Sequence, residues 1–180
     1  MAHNTINISI QNVTLASAQR AVAGNANGYF AVVAFYAASN ESGANPPSTG
    51  LTIQFDDRLT LVGEDEDWVF NSRIYNPAGQ ALRNRGRSAI TQRVLDPENK
   101  IYFVSTASEL EGFNDGYLYF AMVQFPADVE VGDVYDIEIL TGTNPITSED
   151  YEFLYKYDSD EDETWTKEHG IINGSITIVE

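Results

Sequence analysis

The sequence predicts an all-β fold, an antiparallel β-sandwich of about nine strands forming one domain over residues 1–180. Three observations predict it. Apolar residues recur with period two along most of the chain, as in strands with one buried face. Clusters of Gly, Pro, Asn and Asp separate these runs. Strands follow one another without alternating helices, which favours a sandwich over a parallel α/β sheet.

The elements follow in order. "TINISIQNV" (5–13) alternates Ile6, Ile8 and Ile10 with Asn7, Ser9 and Gln11, a half-buried strand. "YFAVVAFYA" (29–37) is almost wholly apolar and reads as a strand covered on both sides. "GLTIQF" (50–55) turns Leu51, Ile53 and Phe55 inward and Thr52 and Gln54 outward, and "LTLV" (59–62) follows a turn at Asp56-Asp57-Arg58. Residues 63–87 carry Gly63, Pro77, Gly79, Gly86 and most of the arginines, and read as a long loop. "SAITQRVL" (88–95) is a strand whose side-chain parity stays open. "DPEN" (96–99) is a turn with Pro in its second position, and "KIYFVSTA" (100–107) is the next strand. An "NDG" turn (114–116) precedes the strand "YLYFAMVQF" (117–125), and "PADVEVGD" (126–133) connects it to the next. "VYDIEIL" (134–140) places Tyr135, Ile137 and Ile139 on one face, and "GSITIV" (174–179) is the last strand. The exception is 148–169. There Ser148, Glu149 and Asp150 suit a helix start, and Tyr151, Phe153, Leu154 and Tyr155 suit an apolar stripe, so a short helix is expected.

Composition narrows the function classes. The chain is 43% apolar, enough for a packed core, and carries a net charge of −17 from 27 acids and 10 bases. A surface that acidic repels phosphate backbones, so nucleic acid is not an expected partner. The absence of cysteine excludes disulfides, thiolate metal sites and a cysteine nucleophile. No apolar run reaches the roughly 20 residues of a membrane span. No signal peptide opens the chain, and its Met-Ala start reads as one that replaces a removed leader. Arg73, Arg83, Arg85, Arg87 and Arg93 are half of the bases, and no Lys or Arg lies between Ile101 and Tyr155. This polarity suits either an orienting patch or a solvated loop.

Catalytic patterns are absent. There is no phosphate-binding Gly-rich loop and no Gly-x-Ser-x-Gly elbow, and the histidines are His3 and His169 alone. Acid pairs are unavoidable with 27 carboxylates, so they specify no glycosidase geometry. The one metal candidate is "YDSDEDETW" (157–165), where Asp158, Asp160 and Asp162 imitate positions 1, 3 and 5 of a calcium loop. Position 6 is Glu163 where glycine is needed, and position 12 is His169, with Glu168 one place early. No metal site is therefore expected, and the segment reads as solvated acid.

Several stretches, in order, resemble a cohesin domain. "GLTIQFDDRLTLV" (50–62) is similar to that family's alternating strand, aromatic-Asp turn and following aliphatic strand. "KIYFVSTASELEG" (100–112), "NDGYLYFAMVQFPADVEVGDVYDIEI" (114–139) and "GIINGSITIV" (170–179) are similar to later strands and turns. Two departures, the Arg-rich 63–87 and an acidic insert at 141–169, resemble a divergent, ruminococcal-like type with a helical insert before the last strand.

The resemblance implies jelly-roll topology and a non-catalytic module that binds a dockerin through one sheet face. It also implies a place in a cellulosome scaffold, outside the cell or attached to the surface of a bacterium. The free chain is expected to be a monomer without a cofactor, calcium being expected on the dockerin. The implied face uses strands 50–55, 88–95, 100–107 and 134–140. Its candidates are Thr52, Gln54, Arg93, Leu95, Ile101, Phe103, Ser105, Ala107, Val134, Asp136 and Glu138. The parity of 100–107 comes from alignment with the family strand; the opposite parity would bury Phe103 and expose Tyr102. Two other readings stay open. A carbohydrate-binding module would use exposed Trp68, Trp165 and some of the ten tyrosines, and a structural or adhesin-like sandwich would have no small ligand.

Overall fold

Burial alternates along the strands as the period-two pattern requires, and the buried sides of two sheets meet in one core. The computed structural model describes residues 5–22, 25–38, 48–66, 68–75, 81–83, 88–108, 116–151, 154–156 and 171–180. The chain opens with β1 (Thr5–Ile8), β2 (Gln11–Thr14), a one-turn helix α1 (Leu15–Ala18), β3 (Gln19–Val22) and β4 (Asn25–Ala38). There follow β5 (Ser48–Phe55), β6 (Thr60–Leu61), a 3-10 turn at Glu64–Glu66, β7 (Phe70–Asn71), β8 (Arg73–Tyr75) and β9 (Ala81–Arg83). The remainder is β10 (Ser88–Asp96), β11 (Ile101–Ser108), β12 (Gly116–Gln124), β13 (Val134–Leu140), β14 (Leu154–Lys156), β15 (Ile171–Ile172) and β16 (Gly174–Val179).

The first sheet runs β15-β1-β4-β12-β6, with β3 beside β4 and β7 beside β12. The second runs β10-β11-β5-β13-β16-β2, with β14 continuing the line of β13 along β5. Between them lies a jelly-roll sandwich core of aliphatic and aromatic side chains. Its centre is aromatic. Phe35 of β4 meets Phe55 of β5 at 6.4 Å, and Phe70 of β7 meets Tyr102 of β11 at 6.3 Å, both edge to face across the sheets.

The all-β sandwich matches the sequence reading, with three differences of detail. Strand segments outnumber the expected nine because short pieces pair onto long strands. Part of the expected loop 63–87 forms β7 on β12 and the separate β8–β9 hairpin. Pairing is not wholly antiparallel, since β1–β15 and β16–β2 run parallel. The helix expected at 148–169 is absent among the described residues. Ser148 has a φ of 60°, whereas a helix N-cap is extended. Asn144 instead ties a turn, its Oδ1 accepting from Ile146 N–H at 2.9 Å, and Leu154–Lys156 joins β5 as β14. The rest of that segment, with the acidic stretch 157–165, lies outside the described residues.

The parallel pairs share one cause. Both chain ends cross from the first sheet to the second side by side, the N-terminal end between β1 and β2 and the C-terminal end between β15 and β16. At the crossing a Cβ on Gly174 would lie 2.5 Å from the Ser9 carbonyl oxygen and 2.6 Å from Ile8 Cγ2. Only glycine allows that approach.

Gly174→Ala should therefore cost about 1–3 kcal/mol, read as a melting temperature lower by roughly 2–10 °C for a domain of this size. An unchanged melt would mean that the crossing relaxes freely. A second test concerns Tyr119, which is fully buried and whose hydroxyl has no hydrogen-bond partner among the described residues. Tyr119→Phe should be neutral or should stabilise by about 1 kcal/mol in urea denaturation, because it removes an unsatisfied polar group. A loss of stability would show that the hydroxyl is held.

Candidate functional site

The outward face of the second sheet is set by which side chains of β11 point inward. Tyr102 and Val104 are buried in the core. The Tyr102 hydroxyl donates to Glu64 Oε2 at 3.3 Å, and Lys100 Nζ donates to the same oxygen at 3.0 Å. Burial, reinforced by the Glu64 charge, pushes the phenol well above its usual pKa. With Tyr102 held inward, the period of two turns Ile101, Phe103 and Ser105 outward, as the resemblance implied.

Strand register assembles these residues into rows. Arg93, Phe103, Thr52 and Leu140 stand opposite one another on β10, β11, β5 and β13. Ile101, Gln54 and Glu138 form the next row. Asp136 and Val134 extend the face along β13, and both are exposed. The Arg93 guanidinium lies over the Phe103 ring at 5.2 Å, holding a half-buried aromatic at the centre of the face.

Two candidates are placed differently from expectation. Thr52 points to the outer side but is completely buried, because this short side chain stands on a central strand between the larger Phe103 and Leu140. Ile101 is only 8% exposed. Its cross-strand neighbour Gln54 reaches over to donate to the Asn99 carbonyl oxygen at 3.3 Å, and Asp96 stands on its other side. Ala107 has its backbone in β11 opposite Ala89 and Ser48, and its side chain lies outside the described residues. Gln54 and Ser105 are partly exposed and Glu138 is exposed, as expected.

The open parity of 88–95 resolves. Ile90 and Val94 pack against the core, and Gln92 bonds the Phe70 backbone, its Oε1 accepting at 2.9 Å and its Nε2 donating at 3.3 Å. Thr91 and Arg93 therefore face out. Leu95 sits in a bulge between Val94 and Asp96 and is 43% exposed, as is Val134. Sequence reasoning omitted Leu140 from the face, although the alternation of Tyr135, Ile137 and Ile139 implied its direction.

Sequence reasoning also missed a notch of about 270 Å³ at the β13 end, lined by Gln54, Asp56, Asp57, Asn99, Asp136 and Glu138, with Phe55 at its base. Asp56 is tied to Arg58 by two 2.9 Å bonds, and Arg58 also donates to the Val134 carbonyl oxygen at 2.6 Å and covers the Tyr135 ring at 4.4 Å. Burial opposes ionisation of Asp56, but the hydrogen bonds and charge of Arg58 outweigh it and hold the carboxyl below its usual pKa. Burial and the nearby Asp133 push Tyr135 up to about 12. Among the described residues no three His, Asp or Glu side chains gather as a metal would require. The site is thus a sheet face with an aromatic centre, aliphatic margins and an acidic end, suited to binding a surface.

No family model and no curated protein matches the sequence. Solved structures do match its fold. A type III cohesin module from the cell-surface anchoring scaffoldin ScaE of Ruminococcus flavefaciens aligns with a TM-score of 0.63 and 22% identity, over 99% of this chain and 89% of that one. The third cohesin of ScaC from Acetivibrio cellulolyticus, solved with the ScaB dockerin, gives 0.59 and 14%, over 98% and 99%. A non-cellulosomal cohesin from the archaeon Archaeoglobus fulgidus gives 0.52 and 14%, over 99% and 93%. The chain has the cohesin fold.

Proposed function

We propose that this chain is a non-catalytic module that binds a dockerin domain through the outer face of the second sheet, and so joins an enzyme or a scaffold protein to a cellulosome. The observation that carries this reading is the row Arg93–Phe103–Thr52–Leu140. It puts a supported aromatic at the centre of a sheet face whose margins, Leu95 and Val134, are apolar and exposed. Interfaces concentrate their energy in such central aromatic and arginine anchors with a polar rim. A partner covering the face would bury about 800 Å² on each side. Support comes also from cohesins of the same fold, two of them solved in complex with a dockerin. The ScaE neighbour belongs to a cell-surface anchoring scaffoldin, which supports an extracellular or surface-attached bacterial setting.

In this reading Phe103 and Arg93 form the anchor, with Leu95, Val134 and Leu140 around it. Gln54, Ser105, Asp136 and Glu138 supply the rim. Thr52 and Ile101 shape the floor and are not contact residues. In this reading calcium belongs to the dockerin, whose loops resemble paired EF-hands. A carbohydrate-binding reading needs several coplanar exposed aromatics. Among the residues whose exposure is described, Trp68 is the one exposed aromatic, at 61%, and one ring makes no platform.

A panel of calcium-loaded dockerins should contain a binder for the wild-type chain. Phe103→Asp should abolish that binding while leaving the melting temperature within a few degrees. Phe103→Ala should weaken it about thirtyfold or more, the equivalent of about 2 kcal/mol. Binding that survives Phe103→Asp would remove this face from the interface. Excess EGTA should abolish the complex without moving the melt of this chain alone. A sharp drop in that melt would place structural calcium here instead.

A further inference from the structure

One side chain behind the docking face stands in for a missing strand. β10 is the outer strand of the second sheet, and among the described strands it pairs with β11 alone. β7 of the first sheet pairs with β12, while the N–H and C=O of its Phe70 turn toward β10. Gln92 of β10 meets both. Its Oε1 accepts from Phe70 N–H at 2.9 Å, and its Nε2 donates to the Phe70 carbonyl oxygen at 3.3 Å. A side-chain amide carries a donor and an acceptor side by side, so Gln92 pairs with β7 as a strand backbone would. The tie reaches the centre of the core, because the Phe70 ring packs against Phe35, Phe55, Tyr102 and Tyr119. It starts beside the docking anchor, because the next residue on β10 is Arg93, whose guanidinium lies over Phe103.

We propose that Gln92 is a positioning residue for the docking anchor: by tying β10 to the Phe70 backbone it fixes the edge strand, and the edge strand holds Arg93 over Phe103. This rests on the dockerin reading above and adds to it a half-buried, inward-facing residue that touches no partner. Three observations call for such a tie. A cation over an aromatic ring is a weak contact at an exposed site, and Arg93 is exposed. The β10–β11 ladder is interrupted by the bulge at Leu95, two residues beyond Arg93. Behind Arg93 lies a void of about 10 Å³ lined by Val69, Gln92, Arg93, Val94 and Tyr102, with room for at most one water. Close packing therefore does not fix this part of β10 by itself, and the two hydrogen bonds of Gln92 do. An arginine already in place before contact loses less freedom on binding.

Two measurements decide it, and they separate this inference from the dockerin reading. The first needs no partner. Gln92→Met keeps the shape of the side chain and removes both hydrogen bonds. In the free variant the Phe70 amide should exchange at least tenfold faster. The Arg93 δ-protons, shifted upfield by the Phe103 ring in the wild type, should lose at least half of that shift, with Phe103→Leu giving the unshifted position. Gly174→Ala, four strands away in the sheet, should leave the Arg93 shift as it is although it lowers the melt. An Arg93 shift that keeps its wild-type value in Gln92→Met overturns the inference, however far the melt falls, because Gln92 is then structural only. Should Gln92→Met fail to fold, Gln92→Ala, which admits water to the Phe70 groups while untying β10, is read in the same way. The second uses a dockerin found in the panel. Gln92→Met should weaken binding about tenfold, chiefly through faster dissociation, and should have no further effect in an Arg93→Ala background. Equal weakening in both backgrounds, or none in either, overturns the inference while leaving dockerin binding intact. If no dockerin binds, the dockerin reading falls, and the Arg93 shift in the free chain still decides whether Gln92 places that side chain.

Discussion

The inward lock on Tyr102 is the constraint on which the rest of the face depends. Its ring packs edge to face against Phe55 at 6.1 Å and Phe70 at 6.3 Å, and its hydroxyl is tied to Glu64. A strand has only two faces, so fixing one residue fixes all of them. With Tyr102 inward, Phe103 must stand outside. With Phe55 inward, Gln54 must too. Buried aromatics from both sheets, with Phe35 and Tyr119 on the opposite side, therefore decide which side chains the second sheet turns outward. A slip of one residue would bury Phe103 and expose a tyrosine, and would also break the Glu64 link to Lys100 and Tyr102.

The exposed side is organised by weaker forces. Arg93 covers Phe103, and Arg58 covers Tyr135 from the adjacent turn while holding Asp56. Arg58 stands close to Asp56 and Asp133, and both cations are anchored to an aromatic ring. Surface ion pairs contribute little stability. The value of these contacts is positional: each arginine is held at one place, so the charge pattern is fixed. Arg58 marks the boundary of the notch by neutralising one carboxylate and leaving its neighbours to face outward.

Much of the sandwich was legible because burial imposes period two on the strands that matter most. β13 read correctly down to single side chains, since its polar and apolar residues alternate cleanly. β11 did not, because "IYFVSTA" is apolar on both sides, and only its partners choose between Tyr102 and Phe103. The family alignment supplied the right answer where periodicity was silent. β10 was ambiguous because of the bulge at Leu95, which no composition rule marks. Thr52 was misjudged for a different reason. Parity gives direction but not height, and a short side chain between two taller ones is buried wherever it points. No helix starts at Ser148, because the local cap chemistry lost to a turn built on Asn144 and Leu154–Lys156 fills the free edge of β5, while most of the expected helix lies outside the described residues. The notch was invisible in sequence, since Gln54, Asp56, Asn99 and Asp136 come together only through the pairing of β11, β5 and β13.

This division of labour explains how such a fold persists while its sequence drifts. Inward positions need only be apolar and of the right volume, and volume-conserving exchanges in a core cost little. Outward positions are nearly free of the fold. The two sets interleave residue by residue along β5, β11 and β13, and a comparison by sequence averages a loosely constrained core with an unconstrained face. What stays fixed is geometry. The crossing at Gly174 keeps the two ends together, the aromatic centre keeps the sheets in register, and the parity they impose keeps one face available. Phe103, Leu95, Asp136 or Glu138 can then be replaced without disturbing the core behind them.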